Sequence, residues 1–230
     1  MLLSDVMEAR STLNRGIANG GGTCTVPEHL FALPLVFFFW CLHAFRLCHE
    51  GKCVIPDAWK MIILIFLAKR KWPSKFTHYR GIALLDQISK LFVGALLCCM
   101  SRHIKSHIYR HARTFAYMKG RCSSDIVLII SNVMSGVYEW REKLEACVFS
   151  GDVASAFDTC EVTSVADAMY ESGVDPGTIA CYLELQLDLV LSPQFSGLDI
   201  APCDFSGALR QGGKDGPFSS NLVLKMVFHH

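Results

Sequence analysis

The sequence lacks any Cys-x-x-Cys pair, although its 230 residues include 11 cysteines. An odd count without paired spacing, in a chain this long and apolar, argues against a disulfide framework. Cys41, Cys98, Cys99 and Cys147 sit in apolar runs and read as buried free thiols of a reducing compartment. Charge is also scarce, at 19% of residues against 51% hydrophobic, which excludes an extended disordered chain. Long apolar runs are missing too. The most apolar stretch, residues 30–48 (LFALPLVFFFWCLHAFRLC), carries Pro34, His43 and Arg46. Its apolar core, 31–42, is 12 residues long, where a bilayer-spanning helix needs about 20. A buried helix is the expectation, with a small membrane-anchored protein as the alternative. No basic segment precedes this stretch and no small-residue cleavage site follows it. A secretory signal is therefore not expected, and an intracellular location, nuclear or cytoplasmic, is.

The net charge of +1 is small because two blocks cancel. Residues 60–121 hold 13 basic side chains and one acid, Asp86, a net of +12. Residues 122–209 hold 2 basic and 14 acidic side chains, a net of −12. So one-sided a block reads as a polyanion-binding surface, the more so as Trp72, Phe76, Tyr79, Tyr109, Phe115 and Tyr117 are interleaved with its cations. The same pattern fits two mutually attracting faces of one domain.

Periodicity outlines the elements. Residues 1–25 are weakly patterned, with a break at Gly20-Gly21-Gly22. A helix is expected over 28–48, stopped by Gly51. The run 61–67 (MIILIFL) reads as a buried strand, and 80–85 as a second short strand. Helical period returns over 87–100, continuing to about 108, and over 125–138. A buried strand at 146–150 leads into a helix over 155–172, ended by Gly173. A further helix is expected from Pro176 to about 191, then turns and short strands over 193–208. A tight loop containing Gly212, Gly213, Gly216 and Pro217 precedes a helix over 221–228. This alternation suits an α/β or α+β fold.

Two segments carry candidate chemistry. In Phe149-Ser150-Gly151-Asp152-Val153-Ala154-Ser155-Ala156-Phe157-Asp158, an apolar strand delivers an aspartate just before a helix. A carboxylate there can hold a hard cation such as Mg²⁺, although aspartate is equally a common helix N-cap. In Ala208-Leu209-Arg210-Gln211-Gly212-Gly213-Lys214-Asp215-Gly216-Pro217, a glycine-rich loop with an amide and two cations can wrap a phosphate or be a plain turn. His103, His107 and His111 share one helical stripe, a spacing that can bind zinc. They have no acid between them and sit among cations, so a solvated or phosphate-contacting face is the expected reading.

In this order the two segments resemble the reverse transcriptase family, especially its non-LTR retrotransposon and group II intron types. Upstream motifs extend the resemblance. Pro56 and Trp59, the apolar strand, Lys69, Tyr79-Arg80-Gly81-Ile82-Ala83-Leu84-Leu85 and Lys90-Leu91-Phe92 follow the family's "P-x-x-W, strand, K, Y-R-P-I-x-L-L, K-L-F". Residues 114–125 (TFAYMKGRCSSD) loosely follow "Q-x-G-F-x-x-G-R-S-T-x-D". The likeness runs from about residue 19 to the end.

The resemblance implies an α+β right-hand polymerase fold with fingers and partial palm, the thumb absent. The expected division is a weakly structured 1–25, a fingers-like 26–121 and a partial palm 122–230. The implied activity is RNA-directed DNA polymerisation, with RNA template, DNA primer and deoxynucleoside triphosphates as partners, Mg²⁺ as cofactor and no membrane. Asp152 is implied as the catalytic metal-binding carboxylate and Val153 as a backbone-carbonyl metal ligand. Phe157 is implied as the steric gate against a ribose 2′-OH. Lys69 and Arg80 would grip the triphosphate, and Gln211 and Gly212 would contact nucleotide and template. The implied reaction is in-line attack of a primer 3′-OH on the α-phosphate with two metal ions.

The sequence departs from the family pattern in several places. Gly81 replaces the proline of "R-P-I", Ser219-Ser220 an apolar pair, and Thr114 and Ala116 the family's Gln and Gly. The aromatic-x-Asp-Asp motif is absent, the chain ending 13 residues after Pro217. The expectation is a fragment that does not polymerise alone, with a catalytically dead nucleic-acid-binding remnant as the alternative.

Overall fold

The computed structural model describes residues 1–16, 25–111, 115, 120–139, 147, 150–151, 160–195, 198–205, 213 and 215–229. Their order is α1 (Leu3–Ser11), α2 (Pro27–Ala32), α3 (Leu35–His49), α4 (Asp57–Lys60), β1 (Met61–Ala68), a 3-10 turn (Phe76–His78), β2 (Tyr79–Leu85), α5 (Gln87–His111), α6 (Ser123–Glu139), α7 (Val162–Glu171), α8 (Pro176–Gln186), β3 (Leu189–Phe195), β4 (Leu198–Asp199), β5 (Cys203–Phe205) and α9 (Asp215–His229). The class is α+β.

The sheet has the order β2-β1-β3-β4, with β5 also paired to β3. β1 and β2 form an antiparallel ladder from Ile62↔Leu85 to Ala68↔Tyr79. β1 and β3 are parallel, Met61 facing Val190 and Ile65 facing Gln194. β3 receives β4 and β5 antiparallel. Side chains alternate across a strand, so Ile62 and Leu64 share a face with Leu85, Ala83, Gly81 and Tyr79 of β2. The same face carries Leu189 and Leu191 of β3. Ile62, Ala83, Leu85 and Leu189 are buried there, with Leu191 and Phe205 packed on them.

The larger core joins helices from both ends of the chain: Val6 and Ala9 of α1, Phe38 and Phe45 of α3, Leu91, Phe92 and Leu96 of α5, Met169 of α7, Tyr182 and Leu185 of α8, and Leu222 of α9. Residues on both sides of the expected 121/122 boundary therefore contribute to one cluster. Two motifs meet inside it. Trp59 and Phe92 lie 5.3 Å apart between ring centroids, and Phe45 sits 5.8 Å from Trp59 and 4.9 Å from Phe92. Such pairs add about 0.5–1.5 kcal/mol beyond their area burial.

Helix ends follow local chemistry. Gly51 and Gly173 take left-handed backbone angles, φ 66° and 80°. After each, the next residue's N–H returns to the helix: Lys52 to the Leu47 carbonyl at 2.9 Å and Val174 to the Met169 carbonyl at 3.0 Å. This is the αL closure that glycine permits. Asp175 caps α8, accepting from the N–H groups of Gly177 and Thr178, with Pro176 in the first turn.

Several expectations are corrected. The N-terminal segment expected to be weakly structured contains α1, whose Val6 and Ala9 are buried, and whose Asp5 meets Arg102 of α5 at 2.7 Å. The helix over 28–48 is two helices, because Pro34 holds Leu33 extended (ψ 142°). One face of α3 (Phe38, Cys41, Leu42, Phe45, Cys48) is buried, while Leu35, Val36, Phe39 and Trp40 are exposed. β1 is not a fully buried strand: only Ile62 is buried, and Met61 and Leu67 face solvent. The helix expected to reach 191 stops at Gln186, where Asp188 turns the chain with φ 54° and β3 begins. Gly216 and Pro217 lie in the first turn of α9 rather than in a loop, a position where the missing proline N–H costs no helical bond. Cys147 is exposed and Cys98 half-buried, whereas Cys41, Cys48, Cys99 and Cys181 are buried; no described cysteine is in a disulfide. Cys147 and Ser150 have no strand assignment, and the rest of the expected strand at 146–150 lies outside the described residues. Among the described residues no helix is long and apolar enough to cross a membrane.

Candidate nucleotide-binding site

The site begins at the β1–β2 hairpin. β1 ends at Ala68, and Lys69 starts the connection. The Lys69 N–H donates to the His78 carbonyl at 2.8 Å, and the His78 N–H to the Lys75 carbonyl at 2.9 Å. The Ser74 N–H donates to His78 Nδ1 at 3.2 Å, and Lys69 Nζ to the Thr77 carbonyl at 3.3 Å. Arg80 follows on β2, opposite Leu67. The ladder thus returns Arg80 beside the strand end that presents Lys69.

Both cations line a cavity of about 410 Å³ with Ile62, Leu64, Tyr79, Gly81, Ala83, Leu191 and Phe205. Ile62, Leu64, Ala83 and Leu191 give it an apolar sheet-face floor. Gly81 keeps the floor open: a Cβ there would stand 3.1 Å from Leu64 Cδ1. Tyr79 packs edge-on to Phe195, with ring centroids 5.1 Å apart. Among the described residues, neither Lys69 nor Arg80 has an acid within 4.0 Å. Asp86, the sole acid of the basic block, is fully buried. Its carboxylate accepts from the Ile88 and Ser89 N–H groups at 2.8 and 3.0 Å, as an N-cap does. That carboxylate caps α5.

The structure thus brings Lys69 and Arg80 into one cavity. Asp152, Val153, Phe157, Gln211 and Gly212 lie outside the described residues. Of the glycine-rich loop, Gly213 is described. The Asp215 carboxylate occupies the space a Cβ on Gly213 would need, and it accepts from Gln186 Nε2 at 2.8 Å. That end of the loop is fixed by packing between α8 and α9, as is Tyr182, whose hydroxyl meets Ser219 Oγ at 2.8 Å. The side chains of His103, His107 and His111 also lie outside the described set. Among the described residues no group of three His, Cys, Asp or Glu side chains is placed to hold a metal ion. The implied donor set for Mg²⁺, one Asp152 carboxylate and the Val153 carbonyl, is too small for two divalent ions, which need several oxygens each.

Sequence reasoning missed Tyr79, Leu191 and Phe205 as cavity residues. For Tyr79 the signal was present, in the alternation Tyr79, Gly81, Ala83, Leu85 along one strand face. Leu191 and Phe205 depend on the pairing of β1 with β3 and of β3 with β5, which no local pattern announces. No protein-family model matches the chain, and no curated protein matches it.

Proposed function

We propose that this chain comprises fingers and part of the palm of a reverse-transcriptase-type polymerase, and that the β1–β2 hairpin grips the triphosphate of a deoxynucleotide. The observation that carries this reading is the meeting of Lys69 and Arg80, the two cations implied for triphosphate contact, at one cavity without an acidic neighbour among the described residues. Two side chains of unlike geometry suit the task. The guanidinium offers a planar fork to phosphate oxygens, and the ammonium a compact charge. In this reading the protein positions charge and performs no covalent chemistry.

The 13 cations and single acid of residues 60–121 support a second reading in which the chain binds nucleic acid and nucleotide but does not polymerise. One measurement tests the triphosphate grip that both readings share, and a second tests whether the chain polymerises. Titration with a fluorescent deoxynucleoside triphosphate should show saturable binding, weakened at least tenfold in Lys69→Ala/Arg80→Ala; an unchanged affinity would remove the triphosphate assignment. Primer extension with Mg²⁺ by the isolated chain should give no incorporation. Incorporation abolished by Asp152→Ala would establish an active polymerase instead.

A further inference from the structure

We propose that the tip of the β1–β2 connection is a stacking platform for single-stranded nucleic acid, with the Trp72 indole against an unpaired base and Arg70, Lys71 and Lys75 on the flanking phosphates. Trp72 is 83% exposed, more than any other large hydrophobic side chain described. Among the described residues it has no ring partner and no cation over its face. Arg70, Lys71 and Lys75 are likewise exposed, and residues 69–80 contain no acid. An indole amid cations is the composition that binds a strand through base stacking and phosphate attraction.

The platform is shaped before any ligand arrives. The four hydrogen bonds that join Lys69 and Ser74 to Thr77 and His78, and Lys75 to His78, close the connection on itself. Pro73 fixes its own φ and biases Trp72 toward extended backbone. Little ordering is left for binding to oppose. In a duplex every interior base is stacked on both sides, so along a strand an indole finds free faces on unpaired bases, and on a duplex only at its two ends. A lipid surface is the less suitable occupant. Interfacial anchoring draws on a broad apolar face, and here a single indole stands among charged and polar neighbours.

This rests on the reading above for the class of partner but uses different residues, so the two can fail separately. The test uses the full chain and fluorescein-labelled single-stranded oligo(U) and oligo(dT), a blunt duplex of equal length, and phosphatidylserine vesicles. Binding is read by anisotropy, and for vesicles by sedimentation, between about 50 and 200 mM salt. Trp72→Ala should weaken single-strand binding about tenfold with an unchanged salt slope and unchanged duplex binding. Trp72→Phe should restore most of the affinity, whereas Trp72→Leu should not. Arg70→Gln/Lys71→Gln should flatten the salt slope by about 0.7 per lost phosphate contact. Deoxynucleotide binding, which reads Lys69 and Arg80, should stay intact in Trp72→Ala. Equal single-strand affinity of Trp72→Ala and the parent overturns the platform alone. So does a Trp72 dependence confined to vesicles. A parent chain that binds no oligonucleotide at any salt overturns both readings. Loss of single-strand binding in Trp72→Ala, with deoxynucleotide affinity indifferent to Lys69 and Arg80, keeps the platform and removes the triphosphate grip.

Discussion

Gly94 shows how much one absent methyl group can hold in place. It lies in the interior of α5, where alanine would ordinarily be the better helix former by about 1 kcal/mol. A Cβ at that position would stand 2.9 Å from the Cβ of Ala9 and 3.5 Å from its Cα. Neither atom belongs to a side chain that can swing aside, so α1 itself would have to move. Gly94→Ala should therefore destabilise the protein by about 1–3 kcal/mol despite the gain in propensity. A fall in the urea midpoint would be the readout, and Ala9→Gly in the same chain should recover much of it. Asp86 makes the same point for charge. As the one acid in residues 60–121 it looks from the sequence like a counter-ion for its neighbours, yet its carboxylate points at backbone N–H groups of α5. Of the block's cations it favours the charge of Lys90, against the burial that lowers that ammonium's pKa.

At the scale of elements, helix ends were the most legible part of the chain and strand environments the least. Gly51 and Gly173 mark real stops because a left-handed closure needs glycine locally. The break at Pro34 was equally local, but the surrounding apolar run masked it. Leu189 to Leu191 fit either period, so the switch from α8 to β3 at Asp188 could not be read from pattern. Lys69 and Arg80 entered the candidate site through the family resemblance alone; that they stand near each other follows from the β1–β2 ladder, which the structure supplies. The contact between α3 and α8 was not foreseen at all. His49 Nε2 lies 2.8 Å from Thr178 Oγ1, and that hydroxyl donates to Asp175 at 2.7 Å. Burial lowers the pKa of His49. The chain's α-ammonium adds to this, while Asp175 and Glu50 oppose it. Protonation is thus disfavoured in the folded state, and the unfolded chain takes up the proton first. The contribution of neutral His49 to stability is fully present above the ordinary histidine value of about 6.5. It is lost as pH falls from there through the depressed folded value. Urea midpoints measured from pH 7.5 to 5 should decline in the parent and decline less in His49→Gln, which keeps an amide within reach of Thr178. Parallel declines would show that other groups carry the slope.

For the whole molecule, the cysteines report how the core is distributed. Burial pushes the Cys41 and Cys48 thiols up to about 11 and Cys181 up to about 12. At neutral pH these three are protonated, shielded and slow to react. Cys53, Cys122, Cys147 and Cys203 are exposed. A thiol reagent added to the native protein, followed by peptide mapping, should label those four before the other described cysteines and reach Cys41, Cys48 and Cys181 only with unfolding. Early labelling of Cys181 would contradict the placement of α8 in the main core.

The parallel pairing of β1 with β3 also sets a timetable. Residues 61–68 leave the ribosome more than a hundred residues before 189–195, so a growing chain can zip β1 to β2 long before the strand that covers β1's other edge exists. Until then, the row of backbone donors and acceptors along Ile62 to Ile65 is open to any extended segment nearby. Late closure of this kind slows folding and prolongs the exposure of sticky intermediates. The last third of the polypeptide is in this sense a guard for the first: a nascent chain halted before residue 189 would carry its candidate nucleotide cavity half-walled and its central strand unprotected.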